Sequence, residues 1–246
     1  MTENNCRGII NLKNNSKIKK PIVIGHRGAK FHALENTINS IKKAIALKAD
    51  VIEIDVRLTK DNIPVLIHDR KINRTTDGKG SVSKLTLKEI KKFNLNGEKV
   101  PTLNQVLRTF KDVKFHLHLK EYKAALPTLK LIYKNKAEDR VMIYSFNPKV
   151  LQLIKDFNPQ IKTTLLYHFP YRNNLKLAKN LKLTAINPYY IFATERLIKK
   201  AHKLNLKVIT WTVNKFDVIE KLIEKGVDGI ITDDPSLLKG VKNGKK

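Results

Sequence analysis

The chain reads as an α/β protein in which eight parallel strands close into a (β/α)8 TIM barrel, with one antiparallel arm and a small insertion added. Three observations lead there. Short β-branched runs alternate with amphipathic stretches, which argues for parallel strands joined by right-handed crossovers. The 246 residues match the roughly 250 that such a barrel uses as one domain. The gap from Val56 to Pro64, about seven residues, is shorter than the roughly 10–12 of a parallel crossover, so that pair must be a hairpin.

After a polar tail over 1–20, strands are expected at 22–25, 51–56, 64–67, 114–120, 141–144, 163–166, 184–187, 207–212 and 229–232. Amphipathic helices fall between them, for example at 37–47, 148–157, 193–204 and 216–225, the last stopped by Gly226. The hairpin turns near Asp61-Asn62, which makes 64–67 antiparallel to the second strand and sets His68 beside Asp55. From 69 to 99 the chain is polar, Gly-rich around Thr75-Thr76-Asp77-Gly78 and briefly helical at 86–92, an excursion from one domain spanning 21–240. A basic tail, 241–246, follows.

Forty-nine Lys+Arg against 22 Asp+Glu give a net charge of +27, and 41% apolar residues provide for a core. The lysines are spread, as at Lys42/Lys43, Lys91/Lys92, Lys199/Lys200, Lys242 and Lys245/Lys246, with no basic block and no interleaved aromatic platform. No dedicated nucleic-acid partner is expected. A positive field still draws anionic substrates into a cleft, and weak association with an anionic membrane stays open. One cysteine, Cys6, excludes an intramolecular disulfide framework. No apolar run approaches the roughly 18 residues of a membrane span, and the first twenty residues lack a signal peptide's apolar stretch, so a cytoplasmic protein is expected.

Strand periodicity locates the chemistry. In Val51-Ile52-Glu53-Ile54-Asp55-Val56-Arg57 the even positions are aliphatic, while Glu53, Asp55 and Arg57 share the other face. If the aliphatic face packs on helices, two carboxylates point into the barrel, where burial costs several kcal/mol each unless a cation compensates. Phe115-His116-Leu117-His118-Leu119-Lys120 repeats the pattern, with His116, His118 and Lys120 on one side. The first strand delivers Gly25-His26-Arg27-Gly28 and the arm delivers His68-Asp69, both at the C-terminal mouth where barrel active sites form. Taken singly, each histidine fits a structural role and the carboxylates fit ion pairs with Arg57 or Lys120. A structural network does not account for both histidines standing at strand ends.

The ordered run His26-Arg27-Gly28, Glu35-Asn36-Thr37, Glu53-x-Asp55, Thr59-Lys60-Asp61, His68-Asp69 and Arg74-Thr75-Thr76 with Gly78 and Gly80 resembles the glycerophosphodiester phosphodiesterases. Pro101-Thr102-Leu103, Ser145-Phe146, Trp211-Thr212-Val213-Asn214 and 226–233 continue the match, which covers about 21–235. The resemblance implies a distorted barrel of the phosphatidylinositol-specific phospholipase C-like superfamily. It also implies a divalent metal, Mg, Ca or Mn, and cleavage of glycerophosphodiesters to glycerol 3-phosphate and an alcohol. By the same resemblance His26 and His68 are the acid/base pair, and Glu53 and Asp55 are metal ligands. His118 stands where the family usually has an acidic residue; an imidazole there shifts preference toward Mn, Co or Zn. Arg27 and Lys120 are expected to bind substrate, and Glu35 and Asn36 to support the site from behind. Trp211 reads equally as a wall of the glycerol pocket or as core. Leu34 replaces the family's common proline and is expected to change loop stiffness.

A phosphodiester repels nucleophiles, so cations must neutralise it while one imidazole removes a proton and the other protonates the leaving alcohol. The nucleophile is the neighbouring glycerol hydroxyl, by way of a cyclic phosphate, or water directly. Two alternatives stand beside this. One is a lysophospholipase D-like enzyme on the same scaffold, which no apolar loop in the sequence singles out. The other is an inactive basic barrel binding nucleic acid or anionic membrane.

Overall fold

The computed structural model describes residues 20–169 and 173–238. The tail expected over 1–20, apart from Lys20, and the tail expected over 241–246 lie outside them, as does Cys6. Nine strands form one sheet: β1 (Ile22–Gly25), β2 (Val51–Leu58), β3 (Pro64–Leu66), β4 (Phe115–Leu119), β5 (Val141–Ser145), β6 (Lys162–Tyr167), β7 (Ala185–Pro188), β8 (Lys207–Thr210) and β9 (Gly229–Thr232). Their order is β1-β9-β8-β7-β6-β5-β4-β2-β3, and a β1–β2 pairing closes the ring. All pairs are parallel except β2–β3, in which Val56 faces Leu66 and Leu58 faces Pro64. The expected eight-plus-one count therefore stands. Asn62, at φ 58°, makes the hairpin turn.

Helices α1 (Ile38–Ala46), α2 (Leu87–Ile90), α3 (Leu103–Thr109), α4 (Ala125–Lys134), α5 (Pro148–Phe157), α6 (Asn174–Asn180), α7 (Glu195–Lys203) and α8 (Phe216–Glu224) connect the strands. Side chains cap five of these starts, at α1, α2, α3, α5 and α7: Thr37 and Ser40 form a capping box on α1, and Thr194 caps α7. Gly226, at φ 85°, ends the turn after α8 as expected.

The period of two sorts the strand side chains. Ile52, Ile54 and Val56 of β2, with Phe115, Leu117 and Leu119 of β4, join the outer core beneath the helices. The opposite face packs inside the ring, where Ile24, Val51, Met142, Tyr144, Leu166, Ala185, Ile209 and Ile231 form a second cluster bordered by Trp211. That apolar plug fills the barrel and leaves polar positions toward the mouth. The excursion is held by a third cluster, Val65, Ile67, Ile72, Val82, Ile90, Leu95 and Val100, and Leu34 packs against it. Leu34 thus ties the loop after β1 to the excursion by apolar contact, beyond the change in stiffness expected of it.

Candidate active site

The turn after β1 is shaped by two glycines. A Cβ on Gly25 would stand 2.4 Å from the Gly28 carbonyl oxygen, and one on Gly28, at φ 91°, would stand 2.3 Å from Ser40 Oγ. Between them Arg27 adopts φ 51°, a left-handed conformation costing about 1–2 kcal/mol. Four bonds hold it there. Arg27 N–H donates to Glu53 Oε2 (3.0 Å), its carbonyl accepts from Asn36 N–H (2.9 Å) and Ser40 Oγ (2.9 Å), and Gly28 N–H donates to the Glu53 carbonyl (3.2 Å). This locked turn aims His26 and Arg27 at the mouth.

One cavity of about 360 Å³ is lined by His26, Arg27, Glu53, Asp55, His68, His118, Lys120 and Trp211, together with Tyr144, Phe146, Leu166, His168 and Ile231. The structure brings every expected catalytic, metal and substrate-binding side chain to it. Glu35 and Asn36 stand behind: Asn36 Nδ2 donates to Asp55 Oδ2 (3.0 Å) and its Oδ1 accepts from Asp55 N–H (3.0 Å). Glu35 accepts from Arg27 Nη1 at 2.8 Å and from Arg74 Nη2 at 2.6 Å.

Glu53, Asp55 and His118 each offer a ligand atom, and these lie within 4.8 Å of one another. Their surroundings differ. Asp55 Oδ1 has His118 Nδ1 at 3.1 Å and Lys120 Nζ at 3.3 Å, and its Oδ2 has Arg27 Nε at 3.2 Å. Burial pushes its pKa up, but the His118 hydrogen bond and the charges of Lys120, His118 and Arg27 prevail and hold it well below the carboxylate range. The ion-pair role weighed for Asp55 is thus present. Among the described residues the Glu53 carboxylate accepts only the Arg27 N–H, with His118 Nδ1 at 3.8 Å. Burial and the neighbouring Asp55 push its pKa up. A buried, under-compensated carboxylate is what a cation would relieve. Burial also drives His118 down to about 4, so its imidazole is a neutral donor at neutral pH.

Both mouth histidines have one nitrogen committed. His26 Nδ1 lies 2.5 Å from Asp233 Oδ1, and Asp233 is held by Asn214 Nδ2 at 2.8 Å. His68 Nδ1 lies 2.6 Å from Asp69 Oδ1, whose other oxygen accepts from Arg74 Nε at 2.6 Å. A carboxylate on Nδ1 fixes the proton there and leaves Nε2 to act in the cavity. Burial lowers the His68 pKa, outweighing the attraction of Asp55. Arg57 Nε donates to the His68 carbonyl (2.8 Å) and so anchors the arm; its guanidinium does not serve the carboxylate pair.

His116, on the same face as His118, takes no part in the cavity. Its Nδ1 is 2.5 Å from Tyr144 Oη, and burial lowers its pKa to about 3, so a neutral imidazole and a phenol share a hydrogen bond inside the barrel. Trp211 is a wall: its Nε1 donates to the Asn187 carbonyl (3.0 Å) while its ring meets Phe146 and His168 edge-on. Sequence reasoning assigned no role to Asp233, Asp69, Arg74, Phe146 or His168. The adjacency His68-Asp69 was a usable signal; no local pattern links His26 to Asp233, 207 positions away.

Two oriented imidazoles flanking cations and carboxylates at a barrel mouth define a hydrolase built for an anionic ester. The model of the glycerophosphoryl diester phosphodiesterase family matches residues 26–237, and the chain belongs to that family of phosphoric diester hydrolases. It is 37% identical over 235 residues to the glycerophosphodiester phosphodiesterase of Caldanaerobacter subterraneus, covering 89% of this chain and 96% of that protein. To the Bacillus subtilis glycerophosphodiester phosphodiesterase it is 30% identical over 254 residues, covering 91% and 87%. Among solved structures, an Oleispira antarctica phosphodiesterase in complex with the product sn-glycerol-3-phosphate superposes with TM-score 0.85 at 26% identity, covering 90% and 96%.

Proposed function

We propose that this chain hydrolyses glycerophosphodiesters to sn-glycerol 3-phosphate and an alcohol in the cytoplasm, using a divalent metal held by Glu53, Asp55 and His118. The observation that carries this reading is the convergence of two carboxylate-oriented histidines on one cavity with that ligand set. The donors fit a metal: two carboxylates and a neutral imidazole converge, and at Glu53 burial and the neighbouring Asp55 outweigh the charge of Arg27. One imidazole among two carboxylates favours Mn, Co or Zn over Ca or Mg. When bound, the ion supplies positive charge against the phosphoryl oxygens and lowers the pKa of a hydroxyl beside it.

The chain's own residues do the rest. Arg27 and Lys120 bring cationic charge to the cavity, and Glu35 keeps the Arg27 guanidinium in place. Nε2 of one histidine takes the proton of the glycerol hydroxyl next to the phosphoester as that oxygen bonds to phosphorus. The phosphorus–oxygen bond to the alcohol breaks, and Nε2 of the other histidine protonates the departing oxygen. Water then opens the cyclic phosphate with the two roles exchanged. The product held by the Oleispira relative is consistent with this outcome.

A matrix of metals against glycerophosphocholine, glycerophosphoethanolamine and glycerophosphoglycerol tests the reading, with product identified as glycerol 3-phosphate. Inactivity in every cell of that matrix rejects it. Rapid-quench trapping of a cyclic glycerophosphate supports the stepwise route, and direct appearance of glycerol 3-phosphate in the first turnover supports attack by water.

A further inference from the structure

The +27 charge and the exposed apolar side chains are left over by the hydrolytic site. Along the sequence these side chains occur singly, so no apolar loop is visible. The fold gathers them. Phe31 follows β1, Tyr122 follows β4, Phe146 follows β5, Phe169 follows β6 and Ile191 follows β7, all at C-terminal strand ends and hence around one mouth. Phe31, Phe169 and Ile191 are 75%, 62% and 57% exposed. Phe31 N–H donates to the Asp233 carbonyl (3.0 Å), which ties it to the His26 end of the site, and Phe169 leans on Phe192 with ring centroids 5.7 Å apart. The opposite end of the barrel shows only the scattered Ile22, Ile45 and Phe157 among exposed large apolar side chains of the described residues.

Cations alternate with these apolar groups. Arg70 and Lys71 follow the arm, Lys123 follows Tyr122, and Lys149 lies in the first turn of α5, three residues after Phe146; all four are exposed. A protein partner is disfavoured, because such interfaces are depleted of lysine. Spaced aromatic and aliphatic side chains among lysines suit the boundary between lipid headgroups and acyl chains. We infer that the rim of the barrel mouth is a docking surface for an anionic membrane, seated with the cavity facing the lipid.

The test is co-sedimentation of the full chain, without substrate, with phosphatidylcholine vesicles carrying about one-third phosphatidylglycerol, and with pure phosphatidylcholine vesicles. Binding is expected to the anionic vesicles alone and to weaken as salt rises. The variant Phe31→Ser/Phe169→Ser/Ile191→Ser should bind them about ten-fold more weakly while its hydrolysis of glycerophosphocholine is unchanged. Lys71→Glu/Lys123→Glu/Lys149→Glu, which alters no packed residue, should weaken binding as well and serves if the serine variant fails to fold. Absence of vesicle binding overturns the inference, as does binding unaltered in the variants, or retention by duplex DNA in place of vesicles. Since no substrate is present, failure here is separate from failure of the hydrolytic reading.

Discussion

The two ends of the site are built alike and supported differently. At one end His26 and its partner Asp233 stand on the barrel itself: His26 N–H donates to the Thr232 carbonyl (2.8 Å), and Asp233 N–H donates to Asn214 Oδ1 (2.9 Å). Both side chains are mostly buried, at 15% and 18% exposure. At the other end His68 and Asp69 stand on the antiparallel arm, about one-third exposed, and depend on the half-exposed Arg74 from the excursion. Arg74 is a bridge: it binds Asp69 and, by two nitrogens, Glu35, which in turn holds Arg27 against Asp55. The barrel frame orients one imidazole through backbone bonds, while an appendage orients the other through a chain of ion pairs. The first should tolerate loss of surface charge; the second should not.

The largest effect is expected from the imidazoles themselves. His26→Ala and His68→Ala should each lower kcat by about 10²–10⁴ with unchanged circular dichroism; wild-type turnover in either would remove that residue from the chemistry. Next come the orienting carboxylates. Asp233→Asn and Asp69→Asn should each cost about 10–100-fold in kcat. Asp69→Asn is expected to cost the more, because His26 keeps its backbone bond to the Thr232 carbonyl on the barrel while the His68 end relies on the Asp69–Arg74 ion pair. Equal losses would break the contrast between the two ends.

A smaller effect belongs to Arg74. Arg74→Met should reduce kcat about ten-fold with KM little changed, and Arg74→Lys should restore only part of it, because a single ammonium cannot bridge two carboxylates as a guanidinium does. Full rescue by lysine would reduce Arg74 to a point charge. The least effect is on stability. The Arg74 and His68 hydrogen bonds hold Asp69 at about 2, below its ordinary 3.8. Its unfolded form therefore takes up a proton first as acid is added. The stabilisation is fully present above about pH 4 and is lost as pH falls toward 2. Urea unfolding at stepped pH should show this slope in the native chain and a flatter one in Arg74→Met, whereas parallel slopes would detach the ion pair from stability.

Much of the site is legible in the sequence. The facing of Glu53, Asp55 and His118 follows from alternation along β2 and β4, and the neighbouring register of Asp55 with His118 bears it out. His68 came within reach of Asp55 from hairpin arithmetic alone, and Ile67 N–H indeed donates to the Asp55 carbonyl (3.2 Å). His116 shows the limit of the same rule: it shares the face but lies one step deeper, where it meets Tyr144 inside the barrel. Trp211, undecided between wall and core, takes both places: it lines the cavity and packs on the inner cluster, with its Nε1 donating to the Asn187 carbonyl on the neighbouring strand.

What the sequence by itself determined is everything set by a short period: eight parallel strands and one returning arm, which strand faces are apolar, and which end carries reactive side chains. Those are properties of a pleat and of connection lengths, which act over a few residues. Tertiary structure alone decided the pairings, with Asp233 on His26, Arg74 between Asp69 and Glu35, and Asp55 shared among His118, Lys120 and Arg27. Ring closure brings the last strand against the first, so groups far apart in the chain meet at distances that no local pattern encodes.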